Sequence, residues 1–180
     1  FVPAPIAQLP WKTILLLFVL ASFGFVVLYS AAGGSLTPWA GLHMFRFMAF
    51  VVMAIVLSRF KESFWKTMAF PAYAIVVLML LGVELIGAVG GGSQRWLNLG
   101  FINLQPSELM KVAIILAVAR FYDLLPPSQL RTWGAIWPLF ALLAVPCMLI
   151  LLQPDLGTTI TVVAGALTIA FLAGLPLRLF

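Results

Sequence analysis

The segment KTILLLFVLASFGFVVLYSAA, residues 12–32, opens on one lysine and holds no other Asp, Glu, Lys, Arg or His. An α-helix needs about 20 mostly apolar residues to cross the hydrocarbon core of a bilayer. This segment meets that length, and five more apolar runs follow at 42–58, 68–89, 106–122, 134–152 and 156–175. The pattern predicts an all-α polytopic transmembrane helix bundle with about six spans. It forms a single membrane domain over residues 1–180, with no soluble domain. A cleaved leader is the other reading of the first run. Its apolar stretch, 14–28, lies at the upper limit for a leader core, and five further spans argue against cleavage. The run 106–122 stands apart, with Glu108 and Lys111 in its first two turns and Arg120 near its end. A tilted or interfacial helix is its alternative.

Composition leads to the same class. Of 180 residues, 64% are apolar and only 8% are charged. A soluble domain carries about a quarter charged residues, and a disordered chain is poor in apolar ones. So short a chain cannot hide this much apolar surface in a soluble core. The net charge of +5 comes from lysines and arginines set singly between apolar runs. That spacing reads as membrane orientation and not as a nucleic-acid patch. Cys147 is the one cysteine, inside an apolar run, so no internal disulfide and no thiolate zinc site arise.

Six spans return the chain to the side on which it began. That side holds Lys12, Arg59, Lys61, Lys66, Arg120, Arg131 and Arg178; the other holds Arg95, with Arg46 and Lys111 about a turn inside it. The positive-inside rule then places both ends of the chain in the cytoplasm. Trp11, Trp65, Trp133 and Trp137 fall at the inner boundary, and Trp39 and Trp96 at the outer one, where amphipathic rings anchor. Short basic turns are expected at 59–67 and 123–133, a small outer loop at 33–41, and a longer outer loop at 90–105.

Charge placement suggests where chemistry lies. His43, Arg46, Glu84, Arg95, Glu108, Lys111 and Asp155 all fall in the outer half of the expected bundle. Arg46, Arg95 and Lys111 against Glu84, Glu108 and Asp155 sum to zero, as in a paired, water-filled cavity. Separate snorkelling to the interface is the alternative, chiefly for Arg46, His43 and Glu84. Glu108 and Lys111 are sharper. They follow Gln105-Pro106-Ser107, with proline suited to a first helical turn, the acid favoured by the helix dipole, and the lysine on the same face at i+3. A structural ion pair is the plainer reading. Gln153-Pro154-Asp155 repeats the design before the last span, so two helix N-termini would face one anionic group. A simple capping role is the alternative for Asp155. The glycines at 90–92 read as a flexible loop; with no strand before them, a nucleotide cradle is a weak reading.

Three segments together, Gln94-Arg95-Trp96-Leu97-Asn98-Leu99-Gly100, Gln105-Pro106-Ser107-Glu108-Leu109-Met110-Lys111 and Gln153-Pro154-Asp155-Leu156-Gly157-Thr158, resemble the hallmark segments of the SEDS family. These are the shape, elongation, division and sporulation proteins. The first and third segments look closer to the elongation branch than to the division branch. The resemblance covers the whole chain and implies a peptidoglycan glycosyltransferase of the bacterial inner membrane, polymerising lipid II during cell elongation. It also implies about ten spans in the full protein. The chain is then the N-terminal portion of a larger bundle, trimmed at a start that lacks methionine. It is expected to be inactive alone, because the acidic residue that the family carries in a later outer loop would lie beyond residue 180.

By that resemblance, Arg95 and Lys111 bind the diphosphate of the lipid substrate, and Glu108 orients Lys111. Asp155 lines the same outward site, and Glu108 or Asp155 substitutes as base if the later acid is not the base. Gln105, Gln153 and Thr158 bind sugar or brace these charges. Trp96 stacks on a sugar or anchors at the interface. A divalent cation, Mg or Mn, would suit the diphosphate, and Glu108 and Asp155 could contribute carboxylates to it, though two carboxylates do not by themselves make a site. The implied partners are lipid II, the nascent glycan, a class B penicillin-binding protein acting as transpeptidase, and membrane lipid. A transporter or flippase for the lipid-linked precursor is the second function class.

Overall fold

The computed structural model describes residues 10–90, 93–98, 100, 103–126, 128–130 and 132–176. Two compact units divide the chain, the first ending at Phe60 and the second beginning at Lys61.

The first unit is an antiparallel hairpin of α1 (Trp11–Ala31) and α2 (Ala40–Leu57). Phe18 and Phe47 meet edge to face with ring centroids 5.0 Å apart. His43 Nε2 lies 3.2 Å from the Ala21 carbonyl oxygen. Gly24 permits that approach, since a Cβ there would stand 3.3 Å from the same ring nitrogen. No residue of α1 is buried, and on α2 only Ala40 is. Side chains that are apolar all round and packed on little protein belong in lipid.

The second unit holds α3 (Glu62–Ile86), β1 (Ala88–Gly90), β2 (Ser93–Asn98), β3 (Asn103–Leu104), α4 (Pro106–Leu124), a 3₁₀ turn (Trp133–Ala135), α5 (Trp137–Leu152) and α6 (Leu156–Leu172). Helix α4 packs against α3, α5 and α6. Its buried Met110, Ile114 and Val118 join Leu80 of α3, Ile150 of α5 and Val162 of α6 in one core. Ala113, Ala117, Ala166 and Ala170 are buried too. Small residues allow close approach, and close packing is the main source of helix association in lipid. Two tyrosines add bonds between elements: Tyr73 Oη donates to the Leu142 carbonyl at 2.9 Å, and Tyr122 Oη to the Ala135 carbonyl at 3.1 Å.

The six expected spans appear as six helices among the described residues, and the all-α transmembrane class holds. Helices α1, α2, α3 and the stretch Trp133–Leu152 are long and apolar enough to cross a membrane, while α6 is an apolar helix of 17 residues. α4 has the length but carries Glu108, Lys111, Arg120 and Asp123.

Three boundaries differ from expectation. α3 starts at Glu62, inside the segment expected as a basic turn. Lys66 sits one turn on and pairs with Glu62 at 2.9 Å, so the helix continues beyond its apolar run. α3 stops at Ile86, because residues 88–90 leave it to form β1. The segment expected as an outer loop is a small antiparallel sheet in the order β1-β2-β3, with Ala88 opposite Trp96 and Leu97 opposite Leu104. A strand therefore does precede the glycines, with Gly90 as its last residue; Gly91 and Gly92 lie outside the described residues. The last helix ends at Leu172 and not at 175. Gly174, at φ +100°, takes the left-handed position; its N–H reaches the Phe171 carbonyl at 3.0 Å and the Leu175 N–H reaches Ala170 at 3.2 Å. That is a Schellman stop, which glycine adopts without steric cost.

Candidate functional site

Gln-Pro begins two helices, and the structure brings those two beginnings together. Gln105 is the N-cap of α4, with Pro106 at its first position. Asp155 is the N-cap of α6, and its Oδ1 accepts the Thr158 N–H at 3.1 Å. The Thr158 hydroxyl donates to Asp155 Oδ2 at 2.9 Å, and the Thr159 hydroxyl to the Asp155 carbonyl at 2.9 Å. The capping role is thus real, and the carboxylate does more. Gln105 Nε2 stands 3.5 Å from Asp155 Oδ2, joining the two N-caps.

Arg95 completes the group from β2. Its Nε donates to the Gln153 carbonyl at 2.9 Å and its second terminal nitrogen to the Pro154 carbonyl at 2.7 Å. The other terminal nitrogen lies 3.8 Å from Asp155 Oδ2. Both charges are mostly withdrawn from solvent, with 30% of the Arg95 side chain and 13% of the Asp155 side chain exposed. Gln105, Asp155 and Thr158 therefore form one hydrogen-bonded group, and Arg95 joins it through its ion pair with Asp155. Gln153 reaches it through its backbone only. Its side chain is buried, and both amide atoms are without a hydrogen-bond partner among the described residues. Trp96 lies next along β2, half-buried.

Glu108 and Lys111 sit in the first two turns of α4 and bond to each other at 2.8 Å. Roughly a third of the Lys111 side chain and half of the Glu108 side chain are exposed, at 31% and 54%. The zero-sum set of six charges resolves into two pairs, Arg95 with Asp155 and Lys111 with Glu108. Glu84 and Arg46 are exposed and enter no ion pair among the described residues, which matches separate snorkelling. No grouping of three His, Cys, Asp or Glu side chains that would hold a metal ion occurs among the described residues. Each of the two carboxylates named for a cation is spent on its own partners, so the present donors do not fit a metal site.

Two features escaped sequence reasoning. Ser107, inside the quoted motif, is fully buried, and its hydroxyl has no hydrogen-bond partner among the described residues. At the far end of α3 and α4, Lys66 bridges Glu62 at 2.9 Å and Asp123 at 3.0 Å, and Arg120 holds Asp123 at 2.5 Å. These charges line a cavity of about 270 Å³ beside Trp65. Lysine and arginine there read as isolated orientation signals, because their acidic partner Asp123 is 57 residues from Lys66.

A helix bundle with paired charges at two adjoining helix N-termini defines a polytopic membrane protein with a polar site at one end. Residues 10–180 match the FTSW_RODA_SPOVE family, described as cell cycle proteins, and the chain belongs to that family, the SEDS proteins its motifs resemble. It is 37% identical over 171 residues to the peptidoglycan glycosyltransferase MrdB of Escherichia coli K12, covering 92% of this chain and 44% of that one. Its fold matches Thermus thermophilus rod shape determining protein RodA at TM-score 0.77 and 30% identity, covering 95% of this chain and 56% of that one. It matches a chain of a peptidoglycan synthase complex that coordinates polymerization and crosslinking at TM-score 0.80 and 30% identity, covering 96% and 50% respectively. The chain spans about half the length of these relatives. MrdB and RodA among them agree with the elongation-branch likeness of the first and third motifs.

Proposed function

We propose that the full-length protein is a peptidoglycan glycosyltransferase that polymerises lipid II during cell elongation, and that this chain supplies part of its polar site. The observation that carries the reading is the joining of the α4 and α6 N-termini through Gln105 and Asp155, within two turns of the Lys111–Glu108 pair. Helix N-termini present free N–H groups and positive dipole ends, which favour an anionic group such as a diphosphate. In the reaction, the 4-hydroxyl of one sugar attacks the anomeric carbon of the growing glycan. A carbon–oxygen bond forms there, the bond to the lipid diphosphate breaks, and the hydroxyl proton passes to a base. Lys111 faces the departing diphosphate charge, and Glu108 holds its ammonium in place. Asp155, Gln105 and Thr158 form the wall beside it, with Trp96 at the rim. The base is the acidic residue that the SEDS resemblance implies in a later outer loop of the family.

The excess of Lys and Arg on one side supports a bacterial inner-membrane placement with both ends of this chain cytoplasmic and the polar site on the periplasmic side. A class B penicillin-binding protein is the proposed partner for crosslinking, a reading supported by the synthase complex among the structural relatives. The test uses purified full-length protein with labelled lipid II in detergent. Glycan polymer is the expected product, and Lys111→Ala should remove it while the protein still inserts. Normal polymer from Lys111→Ala would overturn the diphosphate role. A flippase yields no polymer in detergent and moves substrate only between two compartments.

A further inference from the structure

We infer that Arg95 is a positioning residue that clamps the α5–α6 turn and fixes Asp155, and not a ligand of the diphosphate. The inference rests on the proposed function for its activity readout and on the structure for its geometry. The last carbonyls of a helix lack partners within it and form the negative end of its dipole. At the end of α5 the residue that follows the helix is Gln153, whose side-chain amide is buried and has no hydrogen-bond partner among the described residues. Arg95 serves the turn instead, reaching the carbonyl of the C-cap Gln153 at 2.9 Å and that of Pro154, one residue past it, at 2.7 Å. One residue on, the same guanidinium faces the Asp155 carboxylate at 3.8 Å.

Three acceptors on three successive residues thus converge on one planar cation. Its charge is already met by a carboxylate and by two carbonyls of the α5–α6 turn, so gripping a diphosphate would require release of that turn. Lys111 differs. Among the described residues it has one partner, Glu108, and its ammonium has three donors. The consequence of the clamp is orientation. Asp155 caps α6 through the Thr158 N–H and hydroxyl and touches Gln105 at the start of α4, so the angle of its carboxylate sets how the two N-termini meet. Because β2 carries Arg95, the small sheet is tied to this turn across 58 residues of sequence. A lysine cannot replace it, since a single ammonium does not span two neighbouring carbonyls in the fork geometry of a guanidinium.

The experiment uses the full-length protein in lipid nanodiscs. Polymerisation kinetics are measured for wild type, Arg95→Ala, Arg95→Lys, Asp155→Asn and the Arg95→Ala/Asp155→Asn pair. Backbone amide exchange across 155–159 is followed in parallel without substrate. Arg95→Ala and Arg95→Lys should each lower kcat about tenfold or more, with KM for lipid II within about threefold. The double variant should be no slower than the slower single one. Exchange at 155–159 should quicken about tenfold in both Arg95 variants and stay unchanged in the middle of α3. The inference is overturned by a tenfold rise in KM at constant kcat, by rescue in Arg95→Lys, by single effects that multiply, or by unchanged exchange. Should wild type itself make no polymer, the proposed function fails, and the exchange measurement alone decides the clamp.

Discussion

Helices α1 and α4 are close in length, 21 and 19 residues, and opposite in character. α1 has a mean hydropathy of 2.5 and buries none of its residues. α4 holds four of the chain's charged residues and buries Met110, Ala113, Ile114, Ala117, Val118 and Tyr122 among others. In water the more apolar helix would take the core. In a bilayer the lipid tails are as apolar as leucine, so burying α1 gains little. Shielding α4 gains more, because its ionisable groups and helix start are costly in hydrocarbon. The helix least suited to lipid is therefore the one that α3, α5 and α6 surround. Hydropathy read as a soluble protein would be read would invert the core.

The largest effect should fall on the charges that α4 carries. Lys111→Ala in the full-length protein should lower polymerisation by about 1,000-fold or more, on the order of 4 kcal/mol of transition-state stabilisation. Lys12→Ala, at the start of α1, should leave the rate within about twofold. Initial rates with labelled lipid II, at matched membrane content, measure both. Equal losses in the two variants would erase the distinction between a functional and an orienting lysine.

Next comes packing. Ile114 is fully buried on α4, among Leu80, Ile150 and Val162. Ile114→Ala should destabilise by about 1–3 kcal/mol, less than the largest soluble-core values because lipid removes most of the transfer contribution and leaves the cavity. A lower thermal midpoint for the purified full-length protein is the readout. An unchanged midpoint would mean that α4 is not held by the contacts described above.

Much of this fold could be read from sequence. Apolar runs of about 20 residues have few alternatives, and each became a helix within a few residues of its expected bounds. The misses are local or long-range. Glu62 to Thr67 looked like a turn because hydropathy ends there, yet an i,i+4 ion pair extends α3 through it. The strands at 88–90, 93–98 and 103–104 are too short for alternation to register, and glycine masks them further. At the site, charge placement named Arg95 and Asp155, and the SEDS resemblance added Gln105 and Thr158. Spacing carries no information on whether a guanidinium meets a ligand, a carboxylate or two carbonyls. That depends on the approach of β2 to a turn 58 residues away.

A smaller effect should separate two threonines on α6. Thr158 is buried and donates to Asp155, whereas Thr168 is exposed and donates to the Ala164 carbonyl within its own helix. Thr158→Val keeps the shape and removes the hydroxyl, taking from Asp155 Oδ2 its shortest hydrogen bond. The expected cost is about 1 kcal/mol. Thr168→Val should be near neutral, since an i−4 side-chain bond competes with the helix's own. Thermal midpoints of the two variants, compared side by side, measure the difference. If Thr168→Val costs as much as Thr158→Val, the carboxylate is not the centre of the network.

The smallest effect belongs to α1 and bears hardest on the opening contrast. Leu16 is 60% exposed, in the second turn of a helix with no buried side chain. Replacing it by alanine exchanges one lipid-facing apolar surface for a smaller one, and tails fill the difference, so no cavity forms. Stability should move by no more than about 0.5 kcal/mol, well below the loss at Ile114. The two substitutions remove similar numbers of methyl and methylene groups, which makes their ratio independent of side-chain size. A ratio near one would show that protein, not lipid, covers this face of α1 in the full-length molecule. The hairpin would then be a docking element whose burial comes from helices outside this chain, and its high hydropathy would report a protein interface instead of a lipid one.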